Sequence, residues 1–168
     1  KDIIQGEALT LRAFSFYQIV QLFGERYRRG GGNDQLGVPL LLNDNPEIYE
    51  GLPRATVEEV YAQINSDLDQ AILLLDGQDR VNETHVNVDV ARALKARVAL
   101  TMGEYDTAIT YAREARVGYP LMDSISYSTG FDLSYKSEFI WWIEITEDQS
   151  DKWGNFGAYM SRNMSSTN

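Results

Sequence analysis

The sequence predicts an all-α protein made of helical hairpins, with long loops and a short extended segment near 138–146. Three observations lead there. Apolar residues recur at helical spacing over four separate stretches. Start and stop residues bracket those stretches, among them Thr56, Asn87, Gly24 and Gly103. Only one run, Phe139-Ile140-Trp141-Trp142-Ile143-Glu144-Ile145, is dense enough in aromatic and β-branched residues to read as a buried strand or extended segment.

The first helix is expected from about Glu7 to Phe23. Ala8, Leu9, Leu11, Ala13, Phe14, Phe16, Tyr17, Ile19, Val20, Leu22 and Phe23 leave it almost no polar face. A helix apolar nearly all round is buried on several sides. Gly24 offers the left-handed position that ends helices. Residues 25–55 then read as one long loop excursion, polar through Gly30-Gly31-Gly32-Asn33-Asp34. Its short apolar run, Gly37 to Leu42, is expected to pack extended against the helices. Asn43 through Pro53 is again rich in turn residues.

The second helix has the clearest start in the chain. Thr56-Val57-Glu58-Glu59 fits a capping box, in which the Thr56 hydroxyl accepts from the Glu59 backbone and the Glu59 carboxylate reaches back. Val57, Val60, Tyr61, Ile64, Leu68, Ala71, Ile72 and Leu75 follow at helical spacing, and Asp76-Gly77 closes the element. Asn87 caps a third helix through Met102, with Val90, Ala91, Leu94, Val98 and Met102 on one face. After the turn Gly103-Glu104-Tyr105, a fourth helix runs to about Gly118. Its expected buried stripe is Tyr105, Ala108, Ile109, Ala112 and Ala115. Two helices joined by so short a link form a hairpin. Tyr17, Tyr61, Tyr105 and Tyr111 are expected in the core or between helices. Trp141 and Trp142, adjacent in an extended segment, point to opposite faces, so at least one is core.

The 168 residues are enough for one domain with a substantial core, and 43% hydrophobic with 24% charged residues excludes wholesale disorder. No apolar run approaches the roughly 18 residues a membrane-spanning helix needs. A formal net charge of -10 argues against nucleic acid as partner and suits a neutral or cationic ligand. With no cysteine, disulfides and thiol chemistry are excluded within the chain. The opening residues, Lys1-Asp2-Ile3-Ile4-Gln5, are not a signal peptide.

Gly103, Tyr105, Ala108, Ala115 and Pro120 sit at the mutual spacings of the tetratricopeptide motif, although Arg92 stands where that motif usually has a large aromatic. Gly6-Glu7-Ala8, Leu11-Arg12-Ala13, Tyr17 and Leu22-Phe23-Gly24 come before this hairpin. So do Gly37-Val38-Pro39-Leu40 and Pro53 to Tyr61. Ala91 to Val98 and Met102 to Tyr105 lie within it, and Ser137-Glu138-Phe139-Ile140 to Glu144 after it. In this order the segments resemble the SusD/RagB family of Bacteroidetes. The resemblance implies an internal segment of a longer surface-exposed outer-membrane lipoprotein, a single tetratricopeptide-type region over 1–168. Its N-terminal lipid anchor would be absent from this chain. It also implies non-catalytic binding of a glycan and a SusC-like TonB-dependent transporter as partner. A peptide-uptake protein, or a tetratricopeptide-type protein-interaction module without a sugar site, is the alternative.

No catalytic residue, metal or cofactor is expected. His85 is the sole histidine, so no Ser-His-Asp or histidine-based metal site can form within the chain, and it reads as a surface residue. Gly30-Gly31-Gly32 lacks the Gly-Lys-Ser/Thr of a phosphate loop. Asn43-Asp44-Asn45 with Glu47 and Glu50 supplies calcium-type oxygens but lacks the glycine and closing glutamate of an EF-hand, and reads as turn chemistry. Sugar binding needs aromatic faces for the C–H side of a pyranose and planar polar groups that grip hydroxyls. Two stretches have that composition. One is the 25–36 loop with Arg26, Tyr27, Arg28, Asn33 and Asp34, where the resemblance implies variable ligand-contacting loops. The other is the tail with Trp153, Asn155 and Tyr159. In each, ligand contact competes with plain local packing.

Overall fold

A computed structural model describes residues 1–42, 51–128 and 137–143. It is all-α as expected: α1 (Asp2–Phe23), α2 (Val57–Leu75), α3 (Val88–Met102), α4 (Tyr105–Ala115) and the short α5 (Ser124–Ser128). α1 packs on α2 and α3 packs on α4, giving two hairpins that meet along α2 and α3.

α1 begins five residues earlier than its sequence pattern suggests. No side-chain cap marks the start; Lys1 supplies only its carbonyl, which accepts from Gln5 N at 3.2 Å. Asp2 in the first turn complements the helix dipole. The helix buries one face: Gly6, Thr10, Ala13, Phe16, Tyr17 and Val20. Gly6 lets α1 approach α2 closely, because a Cβ there would lie 2.6 Å from Leu75 Cγ. The expectation that α1 is buried on several sides fails. α2 covers one side, while Ile4, Leu11, Leu22 and Phe23 are 72%, 44%, 75% and 69% exposed.

Gly24 ends α1, but in extended backbone at φ −97° rather than the left-handed region. Space, not handedness, requires glycine here, since a Cβ would sit 2.7 Å from Val20 O. Arg54 closes the helix end instead. Its Nη2 donates to Phe23 O at 2.9 Å and its Nε to Gly37 O at 2.6 Å. The middle of the excursion pairs with its C-terminal end: Gly37 N donates to Ala55 O at 2.7 Å, Ala55 N to Val38 O at 3.1 Å and Val57 N to Gln35 O at 2.9 Å. Val38 is buried as expected, whereas Leu41 and Leu42 face solvent. The calcium-type residues Asn43, Asp44, Asn45, Glu47 and Glu50 lie outside the described residues.

α2 is the central element. Both halves of its capping box form, and Val57, Val60, Ile64, Leu68 and Ala71 have no exposed surface. α3 starts at Asn87, whose side chain accepts from Val90 N at 3.1 Å, and ends at Gly103 in the left-handed region at φ +80°. Both ends were expected.

α4 stops at Ala115, three residues short of expectation, and only Ala108 and Ala115 of its five-residue stripe are buried. It is the outer helix of its hairpin, so Tyr105 and Ile109 are 53% and 49% exposed and Ala112 is exposed too. Tyr17 and Tyr61 are core as expected; Tyr105 is not, and Tyr111 is half-buried. Arg92, in the place of the motif's aromatic, joins three elements by charge. It pairs with Asp76 at 3.2 Å, Asp89 at 3.3 Å and Glu114 at 3.6 Å. Here a polar hub does what ring packing does in the usual motif.

The 137–143 segment makes no strand among the described residues. Side chains anchor it: Arg80 donates to Ile140 O at 2.7 Å and Trp141 Nε1 to Thr84 O at 2.9 Å. Trp141 also meets Phe14 edge-on at 6.2 Å and packs against the core, so at least one of the two tryptophans is core as expected. Residues 144–146 lie outside the described residues.

Candidate functional site

The 25–36 loop is built from a glycine turn and one buried amide. Gly30, Gly31 and Gly32 all take positive φ, at 91°, 107° and 77°, a run that side-chain-bearing residues rarely adopt. Asn33, only 3% exposed, closes the turn. Its Oδ1 accepts from Arg28 N at 2.7 Å and its Nδ2 donates to Arg28 O at 3.1 Å and Glu58 Oε2 at 3.2 Å. Glu58 N donates to Asn33 O at 2.9 Å, tying the loop to the first turn of α2.

Tyr27 is fixed beside this turn. Its ring tilts against Tyr61 at 4.8 Å between centroids, and its hydroxyl donates to Glu58 Oε2 at 3.4 Å. Burial first, and the nearby negative charge of Glu58 second, raise the Tyr27 pKa, so the phenol stays neutral. Across from it, the tight turn at Gly103 brings Tyr105 to the start of α4. The Arg29 stem lies over Gly103, where a Cβ would come within 2.8 Å of Arg29 Cδ. Its guanidinium then sits 5.1 Å from the Tyr105 ring centroid, a cation–π contact.

These parts enclose a cleft of about 490 Å³ lined by Glu25 to Arg29 and by Leu100 to Gly103 with Tyr105. Of the expected site residues, Arg26, Tyr27 and Arg28 line it, and Arg28 pairs with Glu25 at 2.9 Å. Asn33 holds the loop from within, and Asp34 is exposed and does not line the cleft. Trp153, Asn155 and Tyr159 lie outside the described residues. Arg29 and Tyr105 were missed by sequence reasoning. The adjacent Arg28-Arg29 in an acidic chain was the available signal for the first; nothing short of knowing that α4 is an outer helix could reveal the second. His85 lies away from the cleft, exposed, with Nδ1 3.0 Å from Glu7 Oε1.

A second concavity of about 430 Å³ runs between α3 and α4, lined by the apolar Leu100, Ala108, Ile109 and Ala112. No helix among the described residues is long and apolar enough to cross a membrane.

A SusD-like family model, described as starch-binding associating with outer membrane, matches residues 1–100. No curated protein matches the chain. Among solved structures, a SusD-like carbohydrate binding protein from Bacteroides vulgatus is 28% identical with a TM-score of 0.76, covering 89% of this chain. A SusD superfamily protein from Bacteroides thetaiotaomicron is 30% identical with a TM-score of 0.65, covering 75% of this chain. The chain spans 32% and 28% of the lengths of these two proteins.

Proposed function

The chain belongs to the SusD-like family, and from that premise we propose that it binds an extracellular glycan without transforming it, at the outer-membrane surface. A SusC-like TonB-dependent transporter is the partner that would take up the glycan. The observation that carries the glycan reading is the convergence of Tyr27, Tyr105 and the arginines 26, 28 and 29 on one cleft. Aromatic rings offer faces for pyranose C–H groups, and guanidinium forks match pairs of ring hydroxyls. Asp34, Trp153, Asn155 and Tyr159 are proposed as further contacts.

Isothermal titration of the full-length protein against a panel of polysaccharides tests this. Saturable binding to at least one, weakened by Tyr105→Ala, is expected. Heat from peptides alone, and from no glycan, would overturn it.

One observation favours a protein-interaction reading instead, the apolar groove between α3 and α4. Substituting Ala112→Asp separates the two, because Ala112 lines the groove two turns along α4 from Tyr105 and does not line the cleft.

A further inference from the structure

We infer that the 490 Å³ cleft takes an acidic oligosaccharide, one carrying carboxylate or sulfate groups, and not a neutral glucan. This rests on the glycan reading and narrows it. The chain as a whole carries a formal charge of -10, yet Arg26, Arg28 and Arg29 crowd into four consecutive positions on the cleft wall. Local charge, not net charge, sets what a cleft attracts.

Three carboxylates, Glu25, Glu58 and Glu104, stand near the three arginines, so what the cleft offers an anion is unpaired guanidinium forks and not a net positive charge. Among the described residues Glu25 is the one acidic residue lining the cleft, and it is engaged with Arg28 at 2.9 Å. Glu58 does not line the cleft and accepts from Tyr27 and Asn33 through Oε2. Glu104, at the start of α4, lies near enough to add to the raised Tyr27 pKa but forms no ion pair among the described residues. Arg26 and Arg29 therefore keep guanidiniums with no carboxylate partner among the described residues. Arg29 rests over the Tyr105 ring, and that contact occupies none of its five N–H donors.

Two members of the array are also positioned in advance, Arg28 through its backbone and Arg29 through its side chain. Asn33 clamps both backbone polar groups of Arg28, and Gly103 leaves room for the Arg29 stem. A flat guanidinium fork held in place is the group best matched to a carboxylate or sulfate, with two parallel hydrogen bonds. Neutral hydroxyls are bound as well by amides, without the cost of holding like charges together.

Titration calorimetry on the full-length protein decides this, with three probes of equal length: oligogalacturonate, a chondroitin sulfate oligosaccharide and a malto-oligosaccharide. Binding of oligogalacturonate, of the sulfated probe or of both, weakening as salt is raised, is the expected result; which one binds identifies the anion. The double variant Arg26→Ala/Arg29→Ala should weaken that binding by roughly tenfold or more. Arg26→Lys/Arg29→Lys keeps the charge but loses the forks, and should recover only part. Arg113→Ala, away from the cleft, should change nothing. Unchanged helical circular dichroism shows that each variant is folded. Binding of the malto-oligosaccharide alone, undiminished in the double alanine variant, overturns the acidic assignment and leaves the glycan reading standing. Silence from all three probes and from the wider polysaccharide panel defeats the glycan reading itself.

Discussion

Arg12 on α1 holds the carboxylate of Asp67 on α2 in a two-pronged grip, Nε to Oδ2 at 2.7 Å and Nη2 to Oδ1 at 2.6 Å. The Asp67 side chain has no exposed surface, and Gln63 Nε2 donates a third bond at 2.7 Å. The Asp67 hydrogen bond is also the main reason the Arg12 pKa is raised. A carboxylate taken out of water is costly unless its partners stay, so this pair fixes how α1 and α2 register. Replacing Arg12→Ala should cost about 3 kcal/mol in urea unfolding, because the acid is left buried and unpaired. Arg12→Lys should restore only part, and Arg12→Met with Asp67→Leu should lose far less than the two single changes summed. Equal loss in Arg12→Ala and the double variant would show that the pair is not what matters.

The capping box of α2 should be sensitive to acid. Thr56 N donates to Glu59 Oε2 at 2.8 Å, and this bond is the chief cause of a Glu59 pKa below its ordinary value. A carboxyl depressed on folding adds stability above its unfolded pKa, and that is lost as pH falls through the folded value. Thr56→Ala should destabilise by about 1 kcal/mol at neutral pH. The gap between wild type and Glu59→Ala should close as the medium is acidified, measured as urea midpoints from pH 7 down to about pH 3.

Tyr61 gives the alkaline counterpart. Burial, with Tyr17 and Tyr27 as neighbours, pushes its pKa up to about 12. A phenol raised on folding leaves stability intact below the unfolded value near 10, and stability then falls as pH climbs towards the folded value. Unfolding midpoints should decline between about pH 10 and 12, and less steeply in Tyr61→Phe. An identical alkaline slope in that variant would remove Tyr61 as the source.

Asn33→Ala should loosen the cleft wall and cost about 2 kcal/mol, because it frees both polar backbone groups of Arg28. Trypsin should then cut at Arg28 and Arg29 sooner than in wild type, while cleavage at Arg113 keeps its rate. Unchanged cutting at the loop would mean that the glycines alone hold its shape.

Gly103→Ala and Gly77→Ala form a matched pair. Both positions have positive φ, +80° and +69°, so both should lose about 1 kcal/mol to backbone strain. Gly77 has open space around it, whereas a Cβ at Gly103 meets the Arg29 stem. Only Gly103→Ala should weaken ligand binding, which calorimetry on the two variants would read.

Helices whose ends carry side-chain chemistry were legible residue by residue. Thr56 and Asn87 each have an oxygen that satisfies a backbone donor, and Gly103 has the one conformation that reverses the chain there. α1 was legible as a helix but not in its start, because Lys1 caps it without a side chain. Its burial, and that of α4, could not be read, since apolar residues on an outer helix look the same in sequence as those in the core. The cleft was half legible. Arg26, Tyr27 and Arg28 stand in a polar run, but their meeting with Tyr105 joins positions nearly eighty apart, and no local pattern encodes that.

The pairing of residues 35–38 with 55–57 has a practical corollary. Bonds between Gly37, Val38 and Ala55, with Arg54 locked to the end of α1, return the chain to the place it left. These bonds close the base of the interval, so a longer chain between Leu40 and Leu52 need not disturb them. Doubling its length adds only about 0.6 kcal/mol of closure entropy. That makes the interval a port for grafting, where a foreign peptide or a fluorescent label could be carried while the scaffold folds as before.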